Sequence, residues 1–433
     1  MTSVRWLRGL EEIDRYRDVL VGLADQSGRQ LPFAHPDFLR AYVSHFEYST
    51  DPPIPEVLLA EEAGEAIGFL ATRVGRAAAW SRLRVAERSL LVTHDHDRFN
   101  LVASPQNERA AAGGIVGALL AHPGASALDL AGLVIGSPLH AELHAQARRA
   151  PTWAVYDIAL PPFSTVPVSF ESLGGYFGSL SKTMRSNVSR QGRRLFAAGE
   201  VQLLTARGAE EVSPLFPAFL DVERRSWKYP AHAGVLRSPK RTAFFRQVAE
   251  GRTSYEPILV GVVLDGVVIA ALLLGRYGEE MWALEMSFDD QYSSLGAGQL
   301  LLLLAMSEAI HHGVVAIGFF QHFAYFKRRW LATDVPVVST RIVRVGSPLH
   351  IRHVGGHLAR RAAMRAGRSA KGADSGDASG DDVVSVGAVS SAGLPRQVPR
   401  DAEASRRLLR NGSRPDQFMN AEQAAAALPF SLR

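Results

Sequence analysis

The sequence predicts a mixed α/β protein with two domains in tandem, each a twisted mixed sheet flanked by helices. Its 433 residues are more than usually fold around one hydrophobic core. Short apolar runs of strand length alternate with stretches of helical length in both halves. From about residue 366 the composition falls into Gly, Ser, Ala and Asp, which cannot form a packed core. We therefore predict domains at 1–165 and 166–345, a basic helical extension at 346–365, and a disordered tail at 366–433.

The first half shows a helix, then two strands around a turn, then two more helices. The turn lies near Glu65, between two short apolar runs. A proline pair ends the half and indicates a linker. The predicted elements are a helix at Glu11–Leu23, strands at Val57–Ala60 and Ala66–Arg73, helices near Glu108–Ala121 and Pro138–Arg149, and the linker at Pro161-Pro162.

The second half has a clearer order of elements. Asp265-Gly266 splits two apolar runs and predicts a β-hairpin, and Gly313 is a typical residue after the end of a helix. The predicted helices are Tyr176–Ala197, Glu210–Trp227, Ser238–Glu250, Gln299–His312 and Tyr325–Leu331; the predicted strands are Val201–Thr205, Ile258–Leu264, Val267–Leu274, Glu280–Phe288, Val314–Phe319 and Val335–Val345.

Composition excludes several classes of protein. The chain has no cysteine, so disulfide frameworks, thiolate metal sites and cysteine nucleophiles are excluded. The N-terminal residues carry charges throughout, and the most apolar helical run, Leu300–Met306, is far shorter than the ~20 residues of a membrane span. We expect a cytoplasmic protein with no membrane span. The net charge of +5 gives no indication of a DNA partner.

A glycine turn follows the strand Met281–Phe288. It contains Gly296 and Gly298 and opens an apolar helix. Glycines let backbone N–H groups approach an anion closely, and a helix N-terminus adds partial positive charge. We therefore expect a pyrophosphate to lie there. The predicted binding residues are Leu295, Gly296, Ala297, Gly298 and Gln299.

This order of hairpin, long strand, glycine turn, helix and strand resembles the GNAT acyltransferases, whose glycine turn holds the pyrophosphate of acyl-CoA. More narrowly, the chain resembles the acetyltransferase family associated with bacterial cellulose biosynthesis. That family reads S-P-G before the helix and D-F-x-x-G-x-x-x-Y-K after it. The matching residues are Ser294-Leu295-Gly296, Gly313, Phe319 and Phe326-Lys327, together with the basic helix Leu180–Leu195 and the segment Phe33–Phe38.

The resemblance implies an N-acyltransferase with acetyl-CoA or another acyl-CoA as co-substrate and no metal. The acceptor would be an amine on a small molecule, such as a sugar or cell-envelope precursor. Lys327 would bind phosphate, since nothing in the sequence suggests that it is neutral. A base would remove the amine proton, and backbone amides would stabilise the oxyanion.

Three residues are candidates for the catalytic acid or base. Strict alternation along the strand puts Trp282, Leu284, Met286 and Phe288 on one face and Ala283, Glu285 and Ser287 on the other. Glu285 would then point into the cleft, where partial burial raises the pKa of a carboxyl group. The alternative is a salt-bridged strand glutamate. His322 and Tyr325 are the other two candidates.

Two further groups of residues suggest ligands. The basic helix carries Lys182, Arg185, Arg190, Arg193 and Arg194, which form either a solvated face or a site for an anionic or phosphate-bearing substrate. His140 and His144 lie four residues apart and could share a metal ion, but no third ligand is evident, so a solvated helix face is the simpler interpretation.

Three departures from the family pattern keep other functions open. Gly318 replaces its Asp, His322 its second Gly and Phe326 its Tyr. Tandem GNAT domains also occur in aminoacyl-tRNA-dependent transferases that build peptidoglycan bridges, and the basic helix would suit tRNA. A degenerate domain that only binds or scaffolds is the third hypothesis.

Overall fold

The structure is a computed structural model. It describes residues 2–27, 31–45, 54–78, 84–91, 101–122, 127–319 and 324–354, and in the C-terminal part 406, 409, 415–419, 423 and 428. At residues 76–78, 84, 324, 325 and 415 it describes the backbone alone. No helix among these residues is long and apolar enough to cross a bilayer.

The first half of the chain builds an eight-stranded sheet, called sheet A. Its strands are β1 (Ser3–Arg8), β2 (Ile54–Glu62), β3 (Glu65–Ala78), β4 (Arg84–Leu90), β5 (Val102–Ala103), β6 (Ala127–Val134) and β7 (Trp153–Ala159), joined by a strand from the end of the chain, β15 (Val337–Arg344). The order is β1-β2-β3-β4-β6-β15-β7, with β5 on β3. Among the described strands of this sheet, only β4 and β6 pair in parallel.

The second half builds sheet B. Its strands are β8 (Phe163–Pro167), β9 (Val201–Arg207), β10 (Glu256–Leu264), β11 (Val267–Tyr277), β12 (Glu280–Phe288), β13 (Ala316–Phe319), β14 (Thr333–Val335) and β16 (Phe418–Met419). From the far edge the order is β16-β9-β10-β11-β12-β13-β8-β14. β12 and β13 are the parallel pair. The predicted hairpin is present, with Asp265 and Gly266 at φ 51° and 76°.

Helices cover both sheets. Those of the first half are α1 (Gly9–Arg15), α2 (Arg17–Gln26), α3 (Pro36–His45), α4 (Glu108–Ala121) and α5 (Pro138–Arg149); those of the second are α6 (Leu173–Ser179), α7 (Lys182–Ala198), α8 (Gly208–Arg224), α9 (Pro239–Ala249), α10 (Ala297–His311) and α11 (Ala324–Arg328). The predicted basic helix is thus two helices, because Ser181 caps α7 by accepting a hydrogen bond from the amide of Met184.

The two sheets exchange one strand each. β8 directly follows β7 of sheet A along the chain but inserts between β13 and β14 of sheet B, and β15 follows β14 of sheet B but inserts between β6 and β7 of sheet A. When β8 and β16 are left out of sheet B, and β15 and β5 are left out of sheet A, the remaining strands of the two sheets have the same order and the same antiparallel and parallel pairs. The division by sheet therefore differs from the predicted division at residues 165 and 345. Its cause is long-range pairing, which no local pattern reports.

Two hydrophobic clusters lie on the two faces of sheet B. The first contains α8 and α9 and continues into the first half of the chain, where Phe33, just before α3, contacts Trp282 and Phe38 of α3 contacts Phe244, with ring centroids 4.8 and 5.4 Å apart. The second contains α7 and α10. The first cluster therefore joins the two halves of the chain, whereas the second belongs to the second half.

Two short parts of the predicted tail pack on sheet B. Phe418 and Met419 pair with Leu204 and Leu203 of β9, and Leu428 is buried in the second cluster. The physical reason is that β9 would otherwise leave an open sheet edge, which a short apolar segment can cover. Of the predicted basic extension, residues 348–354 are helical and residues 355–365 lie outside the described part of the chain.

Candidate active site

Strands β12 and β13 run side by side for only part of their length. They pair from Glu280 opposite Ala316 to Ala283 opposite Phe319. β13 is described as far as Phe319, whereas β12 continues to Phe288. Among the described residues, β12 has no neighbour on this side beyond Ala283, and its end leads from this opening of the sheet into the glycine turn.

β12 contains a β-bulge at Leu284. Leu273 of β11 lies opposite Glu285 and Leu274 lies opposite Ala283, so Leu284 has no partner on β11. A bulge inserts one residue and moves every following side chain to the other face. Strict alternation, which the sequence predicted here, is therefore broken.

The bulge decides which way Glu285 points. Trp282 and Leu284 pack in the first cluster, on the side of α8 and α9, and Ser287 donates to Glu223 of α8 on the same side. The prediction that Trp282 and Leu284 lie on the face opposite Glu285 and Ser287 is therefore wrong. Met286 and Phe288 pack against the second cluster, with Ala283.

Glu285 is a buried, doubly salt-bridged carboxylate. Its Oε2 accepts from Nζ of Lys228 and its Oε1 from Nη2 of Arg241, both at 2.7 Å. Burial alone would raise the pKa of Glu285, but the charges and hydrogen bonds of the two cations outweigh it and lower the pKa. The predicted upward shift is wrong in direction, because the sequence did not show these partners.

Glu223 is a second buried carboxyl group beside Glu285, and sequence analysis missed it. It is fully buried on α8 and accepts from the amide of Leu236 at 2.6 Å and from Oγ of Ser287 at 3.2 Å. Burial, together with the charge of Glu285, raises its pKa. In the sequence, Glu223 lies among the apolar residues of a helix. That position alone does not distinguish it from a solvated helix residue.

The glycine turn begins at Asp289. This residue caps a 3-10 turn over Asp290–Leu295 by accepting from the amide of Gln291 at 3.0 Å, and its carboxylate also binds Arg225. Gly296 follows in the left-handed conformation, at φ 72°, a conformation that glycine adopts without strain. The turn is thus fixed at both ends.

The predicted binding residues 295–299 lie in one turn of chain at the start of α10. Leu295 and Ala297 are buried in the second cluster, so only their backbone could face a ligand. The amide of Gln299 donates to the carbonyl of Gly296 at 2.9 Å. The amides of Ala297 and Gly298 come before this first hydrogen-bonded amide of the helix, so they can donate to an anion.

The other predicted residues are close to α11 in the sequence. Lys327 is on this helix, which follows β13. The backbone of Tyr325 is on the same helix, but its side chain is not described, and His322 lies outside the described residues. Glu285 therefore lies on the strand that leads into the glycine turn. The side-chain positions of the other two catalytic candidates lie outside the described structure.

A basic cavity lies along α7. Its volume is about 600 Å³, and its lining is Lys182, Thr183, Ser186, Asn187, Arg190 and Arg329. Of the five predicted cations, Lys182 and Arg190 line it, and Arg329 was missed. Arg185 instead donates to the carbonyl of Gly178 at 2.7 Å, which ties it to the end of α6. Arg193 and Arg194 are exposed elsewhere on the helix.

The departure at Gly318 has a structural cause. Gly318 pairs with Trp282 across the parallel strands, and a Cβ at Gly318 would lie 2.6 Å from Cε3 of the indole. Trp282 itself is fully buried against Phe33 and Phe163. An aspartate at position 318 would therefore clash with this tryptophan. Phe326, another departure, is exposed.

The histidine pair has a third neighbour that the sequence did not show. Nε2 of His140 and Nε2 of His144 lie 3.2 and 2.9 Å from Oδ2 of Asp157 on β7. Nδ1 of His140 accepts from the amide of Gly136, so its Nε2 carries the proton and donates to Asp157. A metal ion would have to displace that proton. The geometry is that of a hydrogen-bonded cluster at the surface.

Comparisons with known proteins agree with the geometry of sheet B. Residues 182–328 match the profile of the family described as "Acetyltransferase (GNAT) domain". The second half thus contains a GNAT-superfamily acetyltransferase domain. The narrower likeness to the cellulose-biosynthesis family stays a prediction. A comparison with curated proteins finds no match.

Solved structures align with most of the chain, and the one with a TM-score above 0.5 shows the same fold. A structure titled "Crystal structure of FemX" aligns with a TM-score of 0.51 at 10% identity, over 78% of this chain and 97% of the other. A tandem GNAT protein from the clavulanic acid biosynthesis pathway aligns with a TM-score of 0.41 at 12% identity, over 80% and 99%. A C-terminal domain of a putative lysylphosphatidylglycerol synthetase from Agrobacterium fabrum has a TM-score of 0.46 at 13% identity, over 80% and 96%.

Proposed function

We propose that this protein transfers an acyl group from acyl-CoA to an amine on a small molecule, such as a sugar or cell-envelope precursor. One observation carries the proposal: the uncapped amides of Ala297 and Gly298 lie at the start of α10, directly after the strand that borders the opening of sheet B. A helix N-terminus of this kind suits a pyrophosphate. The opening beside β12 suits the thioester arm.

The reaction is an aminolysis of the thioester. The acceptor nitrogen forms a bond to the acyl carbon, the carbon–sulfur bond breaks, and one proton leaves the amine while the CoA thiolate gains one. The negative charge that develops on the carbonyl oxygen needs a hydrogen-bond donor. We assign this role to the backbone at the bulge, because Leu284 has no partner on β11.

We assign Glu285 to positioning and not to proton transfer. Both of its oxygens already accept from cations, so it is a weak base for an incoming ammonium. By tying Lys228 to β12 it holds the connection between α8 and α9 beside the opening. We assign proton transfer to the segment that carries His322 and Tyr325.

Gly298 gives a clean test of the donor site. A Cβ at Gly298 would lie 3.7 Å from the ring of Phe288, an ordinary contact, so Gly298→Val should fold. Its side chain would stand where a pyrophosphate approaches the amides. We expect the dissociation constant of acetyl-CoA, measured by isothermal titration calorimetry, to rise about tenfold or more.

Gly113→Val is the matched control. Gly113 is also a helical glycine with room for a Cβ, whose nearest neighbour would be Gln146 at 4.0 Å, but it lies on α4 in the first half. Its variant should bind acetyl-CoA like the wild type. Equal affinity of wild type, control and Gly298→Val, with all three folded, would contradict a donor site at α10.

An aminoacyl-tRNA donor is the second candidate. The observation that favours it is the basic cavity of α7, since cations that face one cavity suit a nucleic-acid backbone. Titration with deacylated tRNA at two salt concentrations separates the two donors. A tRNA that binds tightly, together with acetyl-CoA that does not bind, would favour this candidate. Binding of acetyl-CoA without turnover of any amine would favour a degenerate scaffold.

A further inference from the structure

The basic cavity of α7 has an unbalanced charge. Three cations, Lys182, Arg190 and Arg329, line it together with two hydroxyl groups and an amide, and no carboxylate from the described part of the chain lines it. Nη2 of Arg190 donates to Oδ1 of Asn187 at 2.8 Å, which holds its guanidinium at the wall. The cavity thus has a volume of about 600 Å³ and is lined by hydrogen-bond donors that together carry three positive charges. Such a lining suits a phosphate group on a larger ligand.

This cavity lies on the donor side of sheet B. Helices α7 and α10 belong to the same cluster, opposite α8 and α9. Gln191 of α7 touches the turn itself, because a Cβ at Gly296 would lie 2.7 Å from Cβ of Gln191. Asn187 in the cavity wall precedes Gln191 by four residues, about one helical turn or ~5.4 Å. The cavity therefore begins close to the first amides of α10.

A group of cations so close to the proposed pyrophosphate site suits a ligand with two separate phosphate groups. In CoA, a ribose joins the pyrophosphate to a 3′-phosphate. We propose that the α7 cavity binds the 3′-phosphate end of CoA while the start of α10 binds the pyrophosphate. This inference rests on the proposed function. It adds that the enzyme selects CoA over donors that lack the 3′-phosphate.

The test compares CoA with 3′-dephospho-CoA, which keeps the pyrophosphate. We expect wild-type protein to bind CoA about tenfold more tightly in isothermal titration calorimetry, as one or two charge-assisted hydrogen bonds would produce. The double variant Arg190→Ala/Arg329→Ala should lose this preference while its affinity for 3′-dephospho-CoA stays unchanged. High salt should reduce the preference of the wild type.

Arg194→Ala is the matched control, because Arg194 is an exposed cation of α7 outside the cavity lining. It should keep the tenfold preference. Equal binding of CoA and 3′-dephospho-CoA by the wild type, or an equal loss of both in the double variant, would overturn the inference. Either result leaves the donor site intact if Gly298→Val still weakens both ligands. Failure of both ligands to bind any variant and the wild type would instead remove the proposed function and this inference together.

Discussion

The indole of Trp282 occupies the space beside Gly318 that any other residue would need for its side chain. The two residues face each other in the parallel pair of β12 and β13, and a Cβ at Gly318 would lie 2.6 Å from the ring. Trp282 also contacts Phe33 from the other half of the chain, with ring centroids 4.8 Å apart. The identity of one strand residue thus depends on the packing between the two halves.

Gly318→Asp should therefore be strongly destabilising. It introduces both a steric clash and a charge into a position that is buried, and we expect a loss of about 3 kcal/mol or more in the free energy of unfolding. Chemical denaturation measures this. Trp282→Leu removes a fully buried ring and should cost about 2–4 kcal/mol alone.

The double variant decides whether the two residues are coupled. Trp282→Leu/Gly318→Asp should lose less stability than the sum of the single variants, by about 1 kcal/mol or more. A sum that is simply additive would show that the ring and the glycine do not constrain each other.

A second prediction concerns Gly296, which differs from Gly298 in its surroundings. Gly296 has φ 72°, and a Cβ there would lie 2.7 Å from Cβ of Gln191. Gly296→Ala should lower the melting temperature and cost about 1–3 kcal/mol, with or without CoA. Gly298→Ala should leave the melting temperature nearly unchanged. Equal stability of the two variants would mean that α7 does not pack against this turn.

The pH dependence of stability can be tested at Glu87 on β4. Burial, and next the charge of Asp129, raises the pKa of Glu87 to about 7 from 4.5. Since the folded-state pKa is the higher one, the folded state binds more protons between these values. The stabilisation is fully present below about pH 4.5 and is lost as pH rises through 7.

Glu87→Gln should therefore be more stable than the wild type at pH 8, by about 1–3 kcal/mol. At pH 4 the two proteins should be nearly equal. Urea denaturation at both pH values measures the difference, with Glu65→Gln at an exposed position of β3 as the control. An advantage of Glu87→Gln at pH 4 that shrinks at pH 8 would reverse the sign and contradict the assignment.

The strand exchange predicts that neither half folds alone. A fragment of residues 1–168 lacks β15, so β6 and β7 lose their shared neighbour. A fragment of residues 169–433 lacks β8, so β13 and β14 lose theirs. Expressed separately, each should be insoluble or show no cooperative unfolding; expressed together, the two should copurify. A single fragment that unfolds cooperatively as a monomer would disprove the interlock.

Much of the fold and less of the site could be predicted from sequence. The hairpin at Asp265-Gly266 and the helix after Gly298 were predicted, because their signals lie within a few residues. The exchange of β8 and β15 was not, because it depends on pairing between distant strands. The bulge at Leu284 was missed for the same reason, since register is a property of two strands. The partners of Glu285 come from α9 and the α8–α9 connection, which no spacing relates to β12.

The last prediction concerns Glu285, because its ion pairs with Lys228 and Arg241 make it a positioning residue in our proposal and not the base. Replacing its charge leaves Lys228 and Arg241, whose side chains are 17% and 12% exposed, without their anion. We expect Glu285→Gln to lower the free energy of unfolding by about 2–3 kcal/mol at pH 7. The folded-state pKa of Glu285 lies below its ordinary value, so this stabilisation is present above the unfolded-state pKa and is lost as pH falls through the folded-state one.

Kinetics separate a positioning role from a basic one. Lys228→Met removes the other partner of the ion pair between Lys228 and Glu285. It leaves the carboxylate of Glu285 in place, so it is the matched variant. If Glu285 positions the α8–α9 connection, both variants should raise KM for the acceptor by a similar factor, and the double variant should add little. If Glu285 is the base, Glu285→Gln alone should lower kcat by about 10²–10⁴, with partial rescue at high pH, because more of the amine is then deprotonated. That second outcome, with Lys228→Met near wild type, would overturn the positioning role and leave the acyltransferase proposal standing.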